Sequence, residues 1–340
     1  MNTLFQANQA THVPPQTGVR ERLIYATVAG VFTLFMMMVP WESLSSRGYF
    51  TDRANYTEYL LYGESRLEYR SYSSPIDYFT GEWLWHWSLG YLVNDFAIPI
   101  GFIFGSITFI CLFTFAYFLA SRGSVWAVPL LINPLLVTLA FSQLRIALAF
   151  SLLLAAYMSG RKAILALAVP ITGMIHTGAL LMTAIGASVW FIKRKLADRS
   201  AHYLVVFAAL FFVGMMVAVG TGTAGEVVLG YFGDRRATRY TGDVGTMGIR
   251  FTLFWAGVLA LFAFQERDFL GNPVNAFALI ILAFLASSFV FGGYTSRMLA
   301  ISLPLVLVAM VSFRPPMNYL AVLLYVFFVL LHWYMWLNII

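Results

Sequence analysis

The stretch Ala97–Ala120, "AIPIGFIFGSITFICLFTFAYFLA", decides the fold, because it is a continuous apolar run without a charged residue. Similar runs recur along the whole chain, which has 340 residues and is 60% hydrophobic and only 11% charged. A soluble domain carries about 25% charged residues. A membrane β-barrel would alternate apolar and polar residues in segments of about ten. The sequence therefore predicts an all-α polytopic integral membrane protein, since helices satisfy their own backbone groups in lipid.

We expect about eleven transmembrane helices within a single transmembrane domain, 1–340, several of them shorter than the usual twenty or so residues. The expected spans lie at 23–40, 97–120, 124–141, 144–159, 163–175, 177–192, 203–220, 250–265, 275–291, 296–312 and 318–338. The segment 79–95 is aromatic, interrupted and too weakly apolar to span. We interpret it as an interfacial or re-entrant helix.

The charged residues indicate an orientation. If the tail 1–22 is cytoplasmic, the cytoplasmic pieces hold 11 of the 21 basic residues and 4 of the 15 acidic ones. The two outer loops, 41–96 with the interfacial helix and the Arg/Gly-rich 221–249, hold 7 basic and 11 acidic residues. This asymmetry obeys the positive-inside rule. It predicts an inner-membrane protein whose N-terminus is cytoplasmic and whose outer loops are periplasmic.

Several function classes lack their sequence signals. The chain has no GxxxxGK[ST] and no G-x-S-x-G, which argues against an ATP-driven pump and an α/β-hydrolase. The five histidines are far apart and the single cysteine, Cys111, lies inside an apolar run. No clear internal repeat is present, which weakens a secondary-transporter interpretation. We expect no metal, no cofactor and no nucleic-acid partner.

Three arginines fall at the outer ends of expected spans: Arg145 in "SQLRIALA", Arg250 in "GIRFTLF" and Arg297 in "YTSRMLA". Charged residues at membrane depth are costly and usually face a cavity or a partner. The guanidinium fork suits phosphate oxygens, so these arginines predict a site for a lipid-linked phosphate or diphosphate. The alternative is that each arginine merely snorkels to the interface.

Two further features lie on the same expected side. His176 stands between the short segments 163–175 and 177–192, so it would lie in a depression below the outer surface. It would donate to a phosphate oxygen, act as a base, or be a hydrogen-bonded core residue. The loop at 223–249 is either a mobile lid or a plain flexible loop. Its candidate residues are Arg235, Arg236, Arg239 and Tyr240.

The outer loop 41–96 supplies carboxylates and aromatic rings, which suit sugar hydroxyls and pyranose faces. Asp52 and Tyr56 in "TDRANYTEY" and Glu82 in "TGEWLWHW" are the candidates for sugar binding. Asp52 or Glu82 could also serve as a general base for an acceptor hydroxyl. The tryptophans after Glu82 are either a sugar platform or an interfacial belt. They are Trp83, Trp85 and Trp87.

The order of these motifs resembles the EpsG-like branch of the Wzy-type bacterial polysaccharide polymerases. The residues that carry the resemblance cover about 47–185, and the second half of the chain matches only loosely. They are Arg47–Gly48, Asp52, Tyr56, Glu82, Asn133–Pro134, Arg145–Ala149 and His176. The chain departs from the family where Ile146 follows Arg145 in place of glutamine, and where Trp83 follows Glu82 in place of proline.

The resemblance implies a glycosyltransferase of the C-type membrane class. Such an enzyme joins oligosaccharide repeat units carried on undecaprenyl diphosphate at the periplasmic face, in O-antigen (lipopolysaccharide), capsule or exopolysaccharide biosynthesis. Its partners would be the lipid-linked donor and acceptor glycans, membrane lipid and a chain-length regulator. Arg145, Arg250 and Arg297 would then hold the diphosphate without a metal, and His176 would either donate to a phosphate oxygen or take the acceptor proton.

Three other interpretations remain open at this point. An O-antigen ligase would use the same donor with lipid A–core as acceptor. A flippase for lipid-linked oligosaccharides would need charges through the bilayer depth, whereas the inner halves of the expected spans are nearly uncharged. A non-catalytic assembly partner would tolerate neutral replacement of Arg145 and His176.

Overall fold

The computed structural model describes residues 18–45, 50–62, 75–196, 203–222, 224, 249–293 and 295–337. The regular structure in these residues is helical, which confirms the expected all-α class. The chain divides into two compact units, Thr17–Ala184 with Val329–Ile340 and Met1–Gln16 with Ile185–Phe328.

The first unit contains most of the expected outer loop and its neighbouring helices. A π-helical turn, Tyr91–Asp95, and a 3-10 segment, Val125–Leu131, interrupt its α-helices. The α-helices are α1 Val19–Met38, α2 Trp41–Leu44, α3 Thr51–Tyr62, α4 Pro75–Thr80, α5 Trp83–Gly90, α6 Ile100–Arg122, α7 Pro134–Phe141, α8 Leu144–Met158, α9 Lys162–Ile175 and the start of α10, Gly178–Leu196.

The second unit contains the rest of α10 and the later helices. A 3-10 segment, Arg267–Gly271, precedes the helix Pro273–Phe291. The helices are α11 Tyr203–Thr221, α12 Ile249–Phe262, α13 Pro273–Phe291, α14 Thr295–Val311 and most of α15, Met317–Leu337. In α11, a Cβ atom on Gly214 would lie 2.5 Å from the carbonyl oxygen of Ile280, so glycine permits the close packing of α11 on α13.

Five helices in the described part of the chain are long and apolar enough to cross a membrane, which agrees with a helical membrane protein. They are α1, α6, α11, α13 and α15. Helices α9, α12 and α14 are apolar but shorter, at 14, 14 and 17 residues. The expected count of eleven spans is not confirmed and stays a prediction.

The expected span at 124–141 is not one continuous helix, and its crossing of the membrane stays a prediction. The structure has the 3-10 segment Val125–Leu131 and then α7, whose eight residues rise only about 12 Å. The reason is local: Asn133 accepts a hydrogen bond from the Leu135 N–H at 2.8 Å, and Pro134 occupies the first helical position. These residues start a new helix there. Helices α7 and α8 are bent by 100°, as in a broken span or a re-entrant loop.

An apolar core holds the helices of the first unit around the candidate residues. Trp85 of α5 is 1% exposed and belongs to a cluster with Phe104 of α6, Leu144 of α8 and Ile175 of α9. The segment expected at 79–95 is therefore helical, with one face packed inward. Its interfacial position in a membrane stays a prediction. This packing fixes the start of α5 close to the start of α8.

Candidate functional site

The break between α7 and α8 places Arg145 in the first turn of a helix. The N–H groups of Ser142 and Gln143 both donate to the Thr138 carbonyl, at 3.1 and 3.2 Å, which closes α7. Helix α8 then begins at Leu144 in a new direction. A positive side chain at a helix N-terminus is opposed by the helix dipole, by about 0.3–1 kcal/mol. Arg145 therefore favours an anionic partner.

That partner in the first unit is Glu82. The Nη1 atom of Arg145 donates to Oε2 of Glu82, and the two side chains form a salt bridge. The Nε atom of Arg145 donates to the Tyr56 hydroxyl at 2.8 Å. The Arg145 side chain is 28% exposed and the Glu82 side chain 11%. These bonds use Nε and Nη1, so the Nη2 donors can bind a further acceptor.

The backbone of Glu82 is left-handed, with φ 52° and ψ 47°. This conformation costs a non-glycine residue roughly 1–2 kcal/mol. The surrounding structure holds it: the Glu82 N–H donates to Phe79 O at 3.1 Å, and the Glu82 carbonyl accepts from the His86 N–H at 3.3 Å. Strained, buried residues of this kind concentrate at functional sites.

His176 lies on the other side of the same carboxylate. Its Nδ1 accepts a hydrogen bond from the Gly178 N–H at 2.9 Å. A neutral ring therefore carries its proton on Nε2, which lies 3.7 Å from Oε1 of Glu82. A Cβ atom on Gly178 would lie 2.9 Å from Nδ1, so the ring is closely held by the turn that follows it. His176 thus presents a donor toward Glu82.

Tyr56 joins the group through α3. Its ring packs edge-on against Trp85 and Phe104, with centroids 5.5 and 6.4 Å away. Burial raises the pKa of Tyr56 above its usual value of 10, although Arg145 opposes the shift. The hydroxyl thus stays protonated at neutral pH, and it can donate its proton while it accepts from Arg145. Asp52 lies one turn earlier on α3 and is half-buried.

A cavity of about 160 Å³ lies beside Phe104, whose ring packs against that of Tyr56. It has one charged wall residue, Arg53, whose Nη1 lies 4.0 Å from Glu42 Oε2. The lining residues are Met37, Arg53, Phe104, Gly105, Thr108 and Phe141. The sequence analysis missed Arg53, although it follows Asp52 directly and lies one helical turn before Tyr56.

The structure thus brings together four of the predicted residues, namely Tyr56, Glu82, Arg145 and His176. We call them the Arg145 cluster. Arg250 and Arg297 belong to the second unit, where they lie in the first turns of α12 and α14. The Arg250 side chain is exposed and that of Arg297 is half-buried. The clamp of several arginines stays a prediction.

The predicted loop residues lie outside the described residues. They are Arg235, Arg236, Arg239 and Tyr240. Within the described part of the chain, no three His, Cys, Asp or Glu side chains lie together as metal ligands would. Comparison of the chain with protein-family models, with curated proteins and with solved structures found no match in any of the three.

Proposed function

We propose that this protein is a polymerase of the bacterial inner membrane that joins undecaprenyl-diphosphate-linked oligosaccharide repeat units into O-antigen or a related surface polysaccharide. The proposal includes about eleven spans, a cytoplasmic N-terminus and a site that faces the periplasm. The observation that carries it is the Arg145 cluster. Arg145 stands at the break between two apolar helices, and the Glu82 carboxylate lies between the Arg145 guanidinium and the His176 imidazole.

The leaving group in this reaction is a diphosphate. Two features of the first unit support such a ligand: the Nη2 donors of Arg145 and the start of α8, where backbone N–H groups and the helix dipole favour an anion. Because Glu82 balances the charge of Arg145, the site needs further cations to hold a diphosphate. The proposal assigns that role to Arg250, Arg297, Arg235, Arg236 and Arg239.

In the proposed transfer step, the Glu82 carboxylate, with one oxygen toward Arg145 and the other toward His176, acts as the general base. The acceptor hydroxyl oxygen forms the new bond to the anomeric carbon of the donor, and its proton passes to the Glu82 carboxylate. The bond from the anomeric carbon to the diphosphate oxygen breaks, and its electron pair leaves with the diphosphate. Arg145 stabilises that charge, and His176 donates its Nε2–H to a diphosphate oxygen. A diphosphate that draws Arg145 away from Glu82 also makes the carboxylate a stronger base.

Other candidate residues of the first unit suit the acceptor sugar and the polyprenyl chain of the donor. Asp52 and the Tyr56 hydroxyl suit acceptor sugar hydroxyls, since both lie on α3 toward Arg145. The cavity beside Phe104 is lined mainly by apolar side chains and has Arg53 at its wall. This combination suits a short part of a polyprenyl chain next to an anionic group.

The test is the polysaccharide banding pattern of a deletion strain that carries wild-type protein, Arg145→Ala or His176→Ala, with membrane abundance checked by immunoblot. Arg161→Ala is the matched control, because Arg161 is an exposed arginine at the start of α9. We expect the wild type and the control to give a ladder, and the two cluster variants to give core with a single repeat.

Two other outcomes would overturn the proposal. Long polymer that stays on the carrier in the deletion strain, with no repeats on the lipid acceptor, would indicate a ligase. A full ladder from abundant Arg145→Ala would show that Arg145 has only a structural role.

A further inference from the structure

Helix α5 carries a row of stacked aromatic rings on the face opposite its buried one. The Trp83 and Trp87 rings are 5.5 Å apart with planes at 19°, and the Trp87 and Tyr91 rings are 5.4 Å apart with planes at 8°. We call these three residues the aromatic row. Trp85, which lies between Trp83 and Trp87 in the sequence, is buried in the core. By contrast, Trp87 is 49% and Tyr91 43% exposed.

The geometry of the aromatic row follows from helical spacing. Its members are four residues apart, so they lie above one another on one side of α5 and the π-helical turn. Two aromatic planes in contact are about 3.5–4 Å apart, so centroids 5.4–5.5 Å apart require the rings to be offset sideways. Each ring then leaves part of one face uncovered by the next. The row extends over about 12 Å of helix, enough for an oligosaccharide rather than one sugar.

Polar groups stand at both ends of the aromatic row. Glu82 of the Arg145 cluster directly precedes Trp83 in the chain. Asn94 and Asp95 are exposed at the far end, just after Tyr91. Pyranose C–H groups suit the negative faces of aromatic rings, and carboxylates and amides suit sugar hydroxyls. An exposed carboxylate at the end of the row does not suit contact with lipid phosphates or acyl chains.

We propose that the aromatic row, with Asn94 and Asp95, is a binding track for the saccharide chain that ends at the Arg145 cluster. This inference rests on the proposed function for the identity of the chain, and it names where the glycan lies. The alternative occupant is the membrane interface, where tryptophan and tyrosine serve as anchors.

The test measures glycan binding without polymerisation. The probe is an oligosaccharide released by mild acid from the delipidated surface polysaccharide of the source strain and labelled at its reducing end. Its fluorescence polarisation is titrated with the full-length protein in nanodiscs. We expect saturable binding to the wild type and about tenfold weaker binding to Trp87→Ala. Trp87→Phe, which keeps a flat ring, should stay within about threefold of the wild type.

Trp126→Ala is the matched control, because Trp126 is 69% exposed and lies outside the aromatic row. It should bind as the wild type does. Wild-type affinity in Trp87→Ala, or no binding by the wild type, would overturn the inference. Equal loss in Trp87→Ala and Trp126→Ala would also overturn it, because that result indicates general membrane anchoring.

Arg145→Ala separates this inference from the proposed function. It should abolish polymer in cells, whereas the track is tested by the probe binding of Trp87→Ala alone. If the wild type polymerises and Trp87→Ala binds the probe normally, only the track fails. If Trp87→Ala weakens binding but Arg145→Ala still polymerises, the track stands and the proposed function fails.

Discussion

Breaking the salt bridge between Arg145 and Glu82 should destabilise the protein more than removing both charges together. The relevant variants are Arg145→Met, Glu82→Gln and the double variant. Removing one partner of a buried pair costs about 3–5 kcal/mol, because it leaves an uncompensated charge in a poorly solvated place. Replacing both partners leaves no such charge.

The partial exposure of Arg145 lowers the expected cost of breaking the salt bridge. The Arg145 side chain is 28% exposed, so solvent partly screens the charge that remains in each single variant. We therefore expect each single variant to lose about 2–3 kcal/mol of unfolding free energy. Arg145→Met also loses the hydrogen bond to Tyr56, which contributes about 1 kcal/mol. The double variant leaves neither charge without its partner, so it should lose only about 1–2 kcal/mol, less than either single variant.

Steric-trap unfolding in bicelles gives these free energies for all four proteins. The chain offers a matched control cycle in Arg53 and Glu42, whose charged atoms are 4.0 Å apart and whose side chains are 35% and 47% exposed. That pair should show a coupling of about 0–0.5 kcal/mol. If the Arg145–Glu82 coupling is no larger than that of the control pair, the reasoning from burial is refuted.

Two further predictions concern stability, and both are read from the same unfolding assay. Gly222→Ala should cost about 1–3 kcal/mol, because its Cβ atom would lie 1.9 Å from the Phe291 carbonyl oxygen. Gly257→Ala in α12, which meets nothing within 4 Å, should instead stabilise by about 0.5–1 kcal/mol, and equal effects of the two changes would contradict the packing argument. Asn133→Ala should cost about 1 kcal/mol, because it removes the cap on the Leu135 N–H, and no loss would show that α7 starts for another reason.

The sequence predicted the elements whose signals are local. The apolar run at 97–120 corresponds to α6, Ile100–Arg122, and Arg145 lies at the start of a helix as expected. The segment 124–141 is not the continuous helix that its hydrophobicity suggested, although the sequence carries a signal for the break. Asparagine followed by proline, at Asn133–Pro134, is typical of a helix start, and the continuous hydrophobicity of the segment concealed it.

The candidate site was only partly predictable. The sequence singled out each member of the Arg145 cluster, but not the salt bridge, because Arg145 and Glu82 are 63 residues apart. The left-handed backbone of Glu82 also has no sequence signal, since glycine or asparagine would be expected there. By contrast, helical periodicity places Trp83 and Trp87 on one face, so it could have separated them from buried Trp85.

The most direct measurement of the proposed function uses purified protein in nanodiscs, the undecaprenyl-diphosphate-linked repeat unit as sole substrate, and EDTA throughout. The wild type should form a carrier-linked dimer of repeat units and release one undecaprenyl diphosphate for each bond formed. Arg145→Ala should do so about 10²–10³-fold more slowly, as for the loss of one donor to a developing anion. The absence of dimer from folded wild type, or an Arg145→Ala rate equal to the wild-type rate, would contradict the proposal.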